Sequence, residues 1–339
     1  MRMTALVALV ALLTSAQSGV QVTSQQSGSP RRFIAVSAVS PLVAWISGDS
    51  GTYARTVDGG ATWRVGVVPG ATRLDFRDVH AFSDKSALLM SAGSGAASKV
   101  YKTTDGGTTW RLVFTNPDSS GFYDCMDFFD EDRGLMLGDS FGGNMAMWQT
   151  NNGGARWVRV PPGQLPPPLP GEGSFASSGT CFLAQRGGFA WGVTTRGRVI
   201  RTDNYGTTWS VSTAMETASD TVGLTSVVFR DNLNGFVFGG YGARAGDTLV
   251  FATTDGGKTW MKRKRPPNRA GIWGGAFVIH EGQRTLVTVG PKGSAYSRDG
   301  GNTWVQMDTV NYWGVGFAPK SNVGWAVGRG GRITKFTGF

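Results

Sequence analysis

Short runs of apolar and β-branched residues alternate with Gly-rich polar turns along most of the chain. Residues 224–261 show the pattern most clearly. Leu224–Phe229, Gly235–Gly239 and Leu249–Thr253 each have strand length and strand composition, and a polar turn then leads into Thr259-Trp-Met261. Such runs bounded by turn residues predict β-strands. Four short strands in about 47 residues is the unit of a propeller blade. A last unit, Trp313–Phe317, Val323–Gly328 and Arg332–Phe336, supplies only three strands. Its missing fourth is expected from residues 20–23 near the N-terminus, which would close the ring and cover an exposed sheet edge.

The turn before the last strand of each unit is repeated. Six related segments occupy residues 55–63, 102–110, 149–157, 201–209, 252–260 and 297–304. In each, an Asp or Asn stands five residues before a Trp: Asp58, Asp105, Asn152, Asn204, Asp255 and Asp299. The Trp recurs every 44 to 52 residues, a period that points to stacked or radial repeats. An Asx side chain can accept from backbone N–H groups a few residues on and tie off a turn. The glycines beside it supply positive φ. The Trp restarts a strand and brings a large apolar surface to pack between sheets. The expected fold is all-β, a seven-bladed propeller of four-stranded antiparallel blades, spanning residues 19–339 as one domain.

These segments resemble the Asp-box (bacterial neuraminidase) repeat, Ser/Thr-x-Asp-x-Gly-x-Thr-Trp. The whole unit, with Gly-Trp-Ala-Val-Gly near 324–328 and Thr-Thr-Asp-Gly-Gly-Lys-Thr-Trp at 253–260, is similar to the photosystem II stability/assembly factor family. The resemblance covers residues from about 30 to the end. It implies a chaperone-like or scaffold role in which an arginine-rich face holds a partner polypeptide, with no cofactor. Units three and four depart from the repeat, with Asn152 and Asn204 in place of Asp and with Arg156 and Tyr205 inside the motif.

Composition adds compartment and partner. Arg2, the apolar run Ala5–Leu13 and the small residues of 14–18 have the parts of a secretory signal peptide, so residues 1–18 are expected to be removed on export to periplasm or medium. No later stretch is apolar and long enough for a membrane span. The chain carries 33 Lys and Arg against 23 Asp and Glu, a net charge of +10, which suits a partner with an acidic surface. The two cysteines, Cys125 and Cys181, read either as a disulfide, which an oxidising compartment permits, or as two small buried residues, the reading preferred here. They lack metal-ligand spacing with His80 or His280, so no metal is expected.

In a four-stranded blade the repeated turns share one face with the turns after the first strands. The links between blades and the turns after the second strands share the other, and functional loops are sought there. On that link face fall Arg196, Arg198, Arg244, Lys262–Arg265, Arg269, Lys292, Arg329 and Arg332, with Trp273 and Trp313 at entry positions and acids at Asp75, Asp78 and Asp124. Arg196, Arg198, Arg244, Arg269, Trp273, Trp313, Arg329 and Arg332 form the expected partner-binding set. The Pro-rich link Pro161–Pro170 is expected to run extended over the same face. The alternative is a glycoside hydrolase, sialidase-like or glucan-active, for which aromatics would stack on a carbohydrate. Two carboxyls must then flank the bond. Asp78 with Asp124 is the pair offered, with Glu172 and Glu216 in reserve. The chain has four Glu and no Arg-Ile-Pro start motif, so a non-catalytic protein-binding propeller is preferred. No phosphate loop, dinucleotide fingerprint or nucleic-acid signature is present.

Overall fold

The computed structural model describes residues 19–216, 222–240, 248–268 and 270–339. Seven four-stranded antiparallel sheets form a closed propeller. The innermost strands of blades one to seven are Phe33–Ala38, Asp75–Ala81, Tyr123–Phe128, Phe182–Gln185, Leu224–Phe229, Gly274–His280 and Gly314–Phe317. Each blade then steps outward strand by strand in chain order. Blade seven takes its outer strand from Gln21–Gln25, which pairs antiparallel with Ile333–Thr337 from Gln21↔Thr337 to Gln25↔Ile333. The expected closure therefore forms, a few residues further along the chain than 20–23. Gln25 also fastens the seam between blades seven and one, because its Oε1 accepts from Trp63 Nε1 and Trp325 Nε1, both at 3.1 Å.

The core is distributed along the seams between blades. Trp110 of blade two packs edge-on against Trp45 and Tyr53 of blade one. Trp63 of blade one meets Trp325 of blade seven in the same way. Trp45, Trp191 and Trp325 are fully buried in the second strands of their blades. Burying rings of this size supplies much of the apolar area that a fold of short strands needs.

The repeated turns are closed by side chains. In blade one, Thr56 Oγ1 accepts from Gly60 N (2.8 Å) and donates to Asp58 Oδ1 (2.8 Å). Asp58 then accepts from Thr62 N (2.9 Å) and Thr62 Oγ1 (2.6 Å). Asp105, Asp255 and Asp299 hold Thr109, Thr259 and Thr303 in the same way. Blades three and four keep this geometry despite their altered residues. Asn152 Oδ1 accepts from Arg156 N and Asn204 Oδ1 from Thr208 N, both at 2.9 Å. An amide oxygen serves the backbone donor as a carboxylate does. At the position where the other turns place a glycine, Tyr205 holds φ at 59°.

Charge enters these turns through the carboxylates. Hydrogen bonds from Thr62, Thr109 and Thr303 hold Asp58, Asp105 and Asp299 down at about 2, below the 3.8 of a free Asp. A carboxyl depressed in the folded state stabilises the fold above its unfolded pKa and loses that contribution as pH falls toward its folded value. Stability should therefore decline as pH drops from about 4 through about 2. Urea midpoints measured across that range should fall less steeply in an Asp58→Asn, Asp105→Asn, Asp299→Asn triple variant. An unchanged pH slope would contradict the assignment.

Candidate functional site

The link from blade three to blade four builds the most distinctive part of the link face. Two arginines grip its Pro-rich half. Arg198 donates from Nη2 to Pro167 O (2.9 Å), and Arg196 from Nη2 to Pro170 O (2.8 Å). Arg198 also forms a two-pronged ion pair with Glu172, whose side chain has no exposure. Burial alone would raise Glu172. The hydrogen bonds from Arg198, Leu169 N and Thr194 Oγ1 outweigh that and hold it below its ordinary range.

After Glu172 the chain turns inward and crosses the propeller axis. Ser174 N donates to Asp139 Oδ1 of blade three (2.9 Å), and Arg77 of blade two donates to Ala176 O (2.9 Å). Ser178 Oγ reaches Trp273 O before blade six (2.6 Å), and Thr180 Oγ1 reaches Ser226 Oγ in blade five (2.8 Å). Contacts to four blades place residues 174–180 across the channel as a plug. Gly179 sits at φ 74°, and a Cβ there would collide with Asp78 Oδ1 and press on Ala35. Immediately after the plug, Cys181 is joined to Cys125 of blade three by a disulfide, with a Cα–Cα distance of 5.9 Å. The preferred expectation of two free buried cysteines is thus corrected. Both residues are buried, as expected, but neighbouring innermost strands bring them to bonding distance.

Around the plug, at the link-face mouth of the channel, aromatic and charged groups converge. Trp273 and Trp313 lie 4.7 Å apart between ring centroids. The Arg32 guanidinium sits 4.8 Å and that of Arg77 5.5 Å from the Trp313 ring, within cation–π range. Asp75 Oδ2 bridges the two arginines, at 2.8 Å from Arg32 and 2.7 Å from Arg77. Trp313 Nε1 and Asp75 Oδ1 are buried and have no hydrogen-bond partner among the described residues. Asp124 is buried close to Asp139 and Arg77, and its Oδ2 also has no hydrogen-bond partner among the described residues. Burial, then the neighbouring Asp139, pushes Asp124 well above the usual carboxylate range.

The expected site residues fall into three groups. Trp273 and Trp313 come together at the mouth. Arg196 and Arg198 are engaged with the Pro-rich link, and Arg198 is largely buried. Arg329 and Arg332 are exposed on the second turn of blade seven, with Arg332 reaching Asn311 O at 3.3 Å. Arg244 and Arg269 lie outside the described residues, as does the segment 1–18. Of the carboxyls offered for hydrolysis, Asp78 and Glu172 have structural partners. Asp78 is buried and accepts from Val79 N and Met126 N, both at 2.7 Å, and Asp124 is buried beside Asp139. Glu172 belongs to Arg198, and Glu216 is exposed at the edge of a segment outside the described residues.

Solved structures with this architecture exist. One, "YCF48 bound to D1 peptide", superposes with a TM-score of 0.63 at 17% identity, covering 94% of this chain and 97% of that one. A second, "YCF48 from Cyanidioschyzon merolae", gives 0.68 at 16% identity over 93% and 98%. The chain shares its fold with YCF48. No family profile and no curated protein matches the sequence. At such identity the likeness to YCF48 concerns the fold and leaves the site residues to be argued from this chain alone.

Arg32 and Arg77 are the site residues that the reading of the sequence passed over. Arg77 did carry a signal. It stands two residues after Asp75 in a strand, so both side chains leave the same face. Among the described residues no group of three or more His, Cys, Asp or Glu is arranged to hold a metal, and no helix is long and apolar enough to cross a membrane.

Proposed function

We propose that the chain is an exported, non-catalytic Asp-box propeller that binds a partner polypeptide at the link-face mouth of its channel, as an assembly or scaffold factor. The observation that carries this reading is the Trp273–Trp313 pair, with Arg32 and Arg77 both against the Trp313 ring. An extended peptide offers apolar side chains and carbonyls to aromatic and guanidinium groups at such a mouth. Trp and Arg are the residue types that dominate binding energy in interfaces. The YCF48 structure with a D1 peptide supports a polypeptide as the class of partner. The exposed Arg329 and Arg332, with the net charge of +10, favour an acidic one.

Selection from a displayed peptide library should enrich ligands for the purified chain. Trp313→Ala should weaken the best of them by about 30-fold, the effect of losing a binding hot spot of roughly 2 kcal/mol. Arg329→Ser with Arg332→Ser should mainly slow association and flatten its salt dependence, because rim charges steer encounter more than they hold the complex. Peptides that bind Trp313→Ala as well as the parent chain would overturn the site. N-terminal sequencing of the exported protein should begin near residue 19. Retention of residues 1–18 would remove the cleaved-signal part of the proposal.

A further inference from the structure

The plug leaves the opposite half of the channel as a cup of about 470 Å³ that opens among the turns following the innermost strands. Ser178, Gly179 and Thr180 contribute to its lining from the plug side. Its walls are mostly apolar, including Val36, Leu183, Val228, Phe277, Ile279 and Phe317. His80 lines one side. Its Nδ1 lies 3.0 Å from Asp127 Oδ1, and that carboxylate is fixed by Phe128 N and Ala184 N, both at 2.8 Å. The imidazole packs against Phe82 and Phe128, at centroid distances of 4.8 and 4.6 Å. This side chain is therefore held in place from three directions, and nothing described above uses it.

The hydrogen bond decides what the ring offers. In neutral His80 the Asp127 carboxylate takes the Nδ1–H, so Nε2 carries the lone pair and is an acceptor. Among the described residues, only Nδ1 of the two ring nitrogens has a hydrogen-bond partner. Other polar groups on the wall already accept backbone hydrogen bonds. Asp78 is tied to two backbone N–H groups, and Ser37 Oγ accepts from Ala81 N. A ligand must then bring an apolar body for the walls and a donor for Nε2. The turns beside His80 pair Asp84 with Arg55 and Asp130 with Arg133, while the lining of the cup itself includes Asp78 and Asp127 and, among the described residues, no Lys or Arg. A lining with carboxyls and no cationic side chain favours a charged donor over a neutral one and disfavours anions.

We propose that this cup is a binding site for organic ammonium ions, with the apolar body in the channel and the ammonium group donating to His80 Nε2. A pocket of this size with few convergent polar groups suits a small molecule. The site is distinct from the peptide mouth, because the plug and its disulfide lie between them.

Calorimetric titration with 2-phenylethylammonium, using 3-phenylpropionate as a near-isosteric anion, tests it. The ammonium should bind saturably at one site per chain, at least about tenfold more tightly than the carboxylate. His80→Phe keeps an aromatic ring and removes the acceptor, so it should cost about tenfold in affinity. His80→Gln restores an acceptor and should recover part of the loss. Titration of the unmodified chain followed by imidazole ¹⁵N resonances should move His80 Nε2 and leave His280 in place, a readout that needs no variant to fold. Equal binding of the carboxylate, undiminished binding to His80→Phe, an unmoved Nε2 resonance or no saturable binding would each overturn the proposal.

Discussion

Replacing Cys125 and Cys181 by Ala together is expected to lower the stability of the chain by about 4 kcal/mol. The two residues are 56 positions apart, and closing a loop of that length removes conformational entropy from the unfolded chain on this scale. The bond also acts locally. Cys181 is the first residue after the plug, and its backbone N–H donates to Cys125 Sγ at 3.2 Å. Without the bond, the plug would be held across the axis by hydrogen bonds alone. The loss should appear as a lower urea midpoint, with amide exchange quickening first in residues 174–181. A double variant within about 1 kcal/mol of the parent would show that the link is redundant with the seams around it.

Arg198→Ala should cost nearly as much. It removes the cation from a carboxylate with no solvent exposure, and stranding one member of such a buried pair costs about 3–5 kcal/mol. It also takes away the donor to Pro167 O, so the Pro-rich link loses one of its two grips. The effect should shrink as the solution is acidified. Glu172 is held below its ordinary range when paired, so the pair contributes fully above the usual 4.5 and progressively less below it. Unfolding free energies of the parent and Arg198→Ala should therefore converge as pH falls from about 5 toward 3. A difference that does not depend on pH would mean that packing, not charge, sets the role of this residue. The Glu172→Gln, Arg198→Ala double variant should be more stable than Arg198→Ala alone, because it buries no unpaired charge.

Architecture was legible in the sequence because its signals are local. An Asp or Asn five residues before a Trp describes a turn that closes on itself, and six copies mark six of the seven blades. The three-strand remainder at the C-terminal end called for a partner, and Gln21–Gln25 provides it. The site was less legible because it is made across blades. Arg198 read as a free cation since its partner, Glu172, sits 26 residues upstream in a stretch that belongs to no repeat. The plug had no signature at all, because residues 174–180 form no strand of their own. The His80–Asp127 pair did have one. Its members are 47 residues apart, the same spacing as Trp63 and Trp110, so they occupy matching places in adjacent blades. Pairing polar residues one repeat apart would have found it.

The strand that closes the ring also governs how the molecule answers to force. Gln21 lies opposite Thr337 and Gln25 opposite Ile333, so the two described ends leave the same edge of one sheet. Tension applied at Gly19 and Phe339 would load the Gln21–Thr337 pair before any other. The strand would then unzip one rung at a time instead of shearing all its rungs together. Pulled by its ends, the propeller should yield at low force and open as a ring. Pulled through two residues in opposite blades, it should resist far longer, because that load is shared by both arcs of blades.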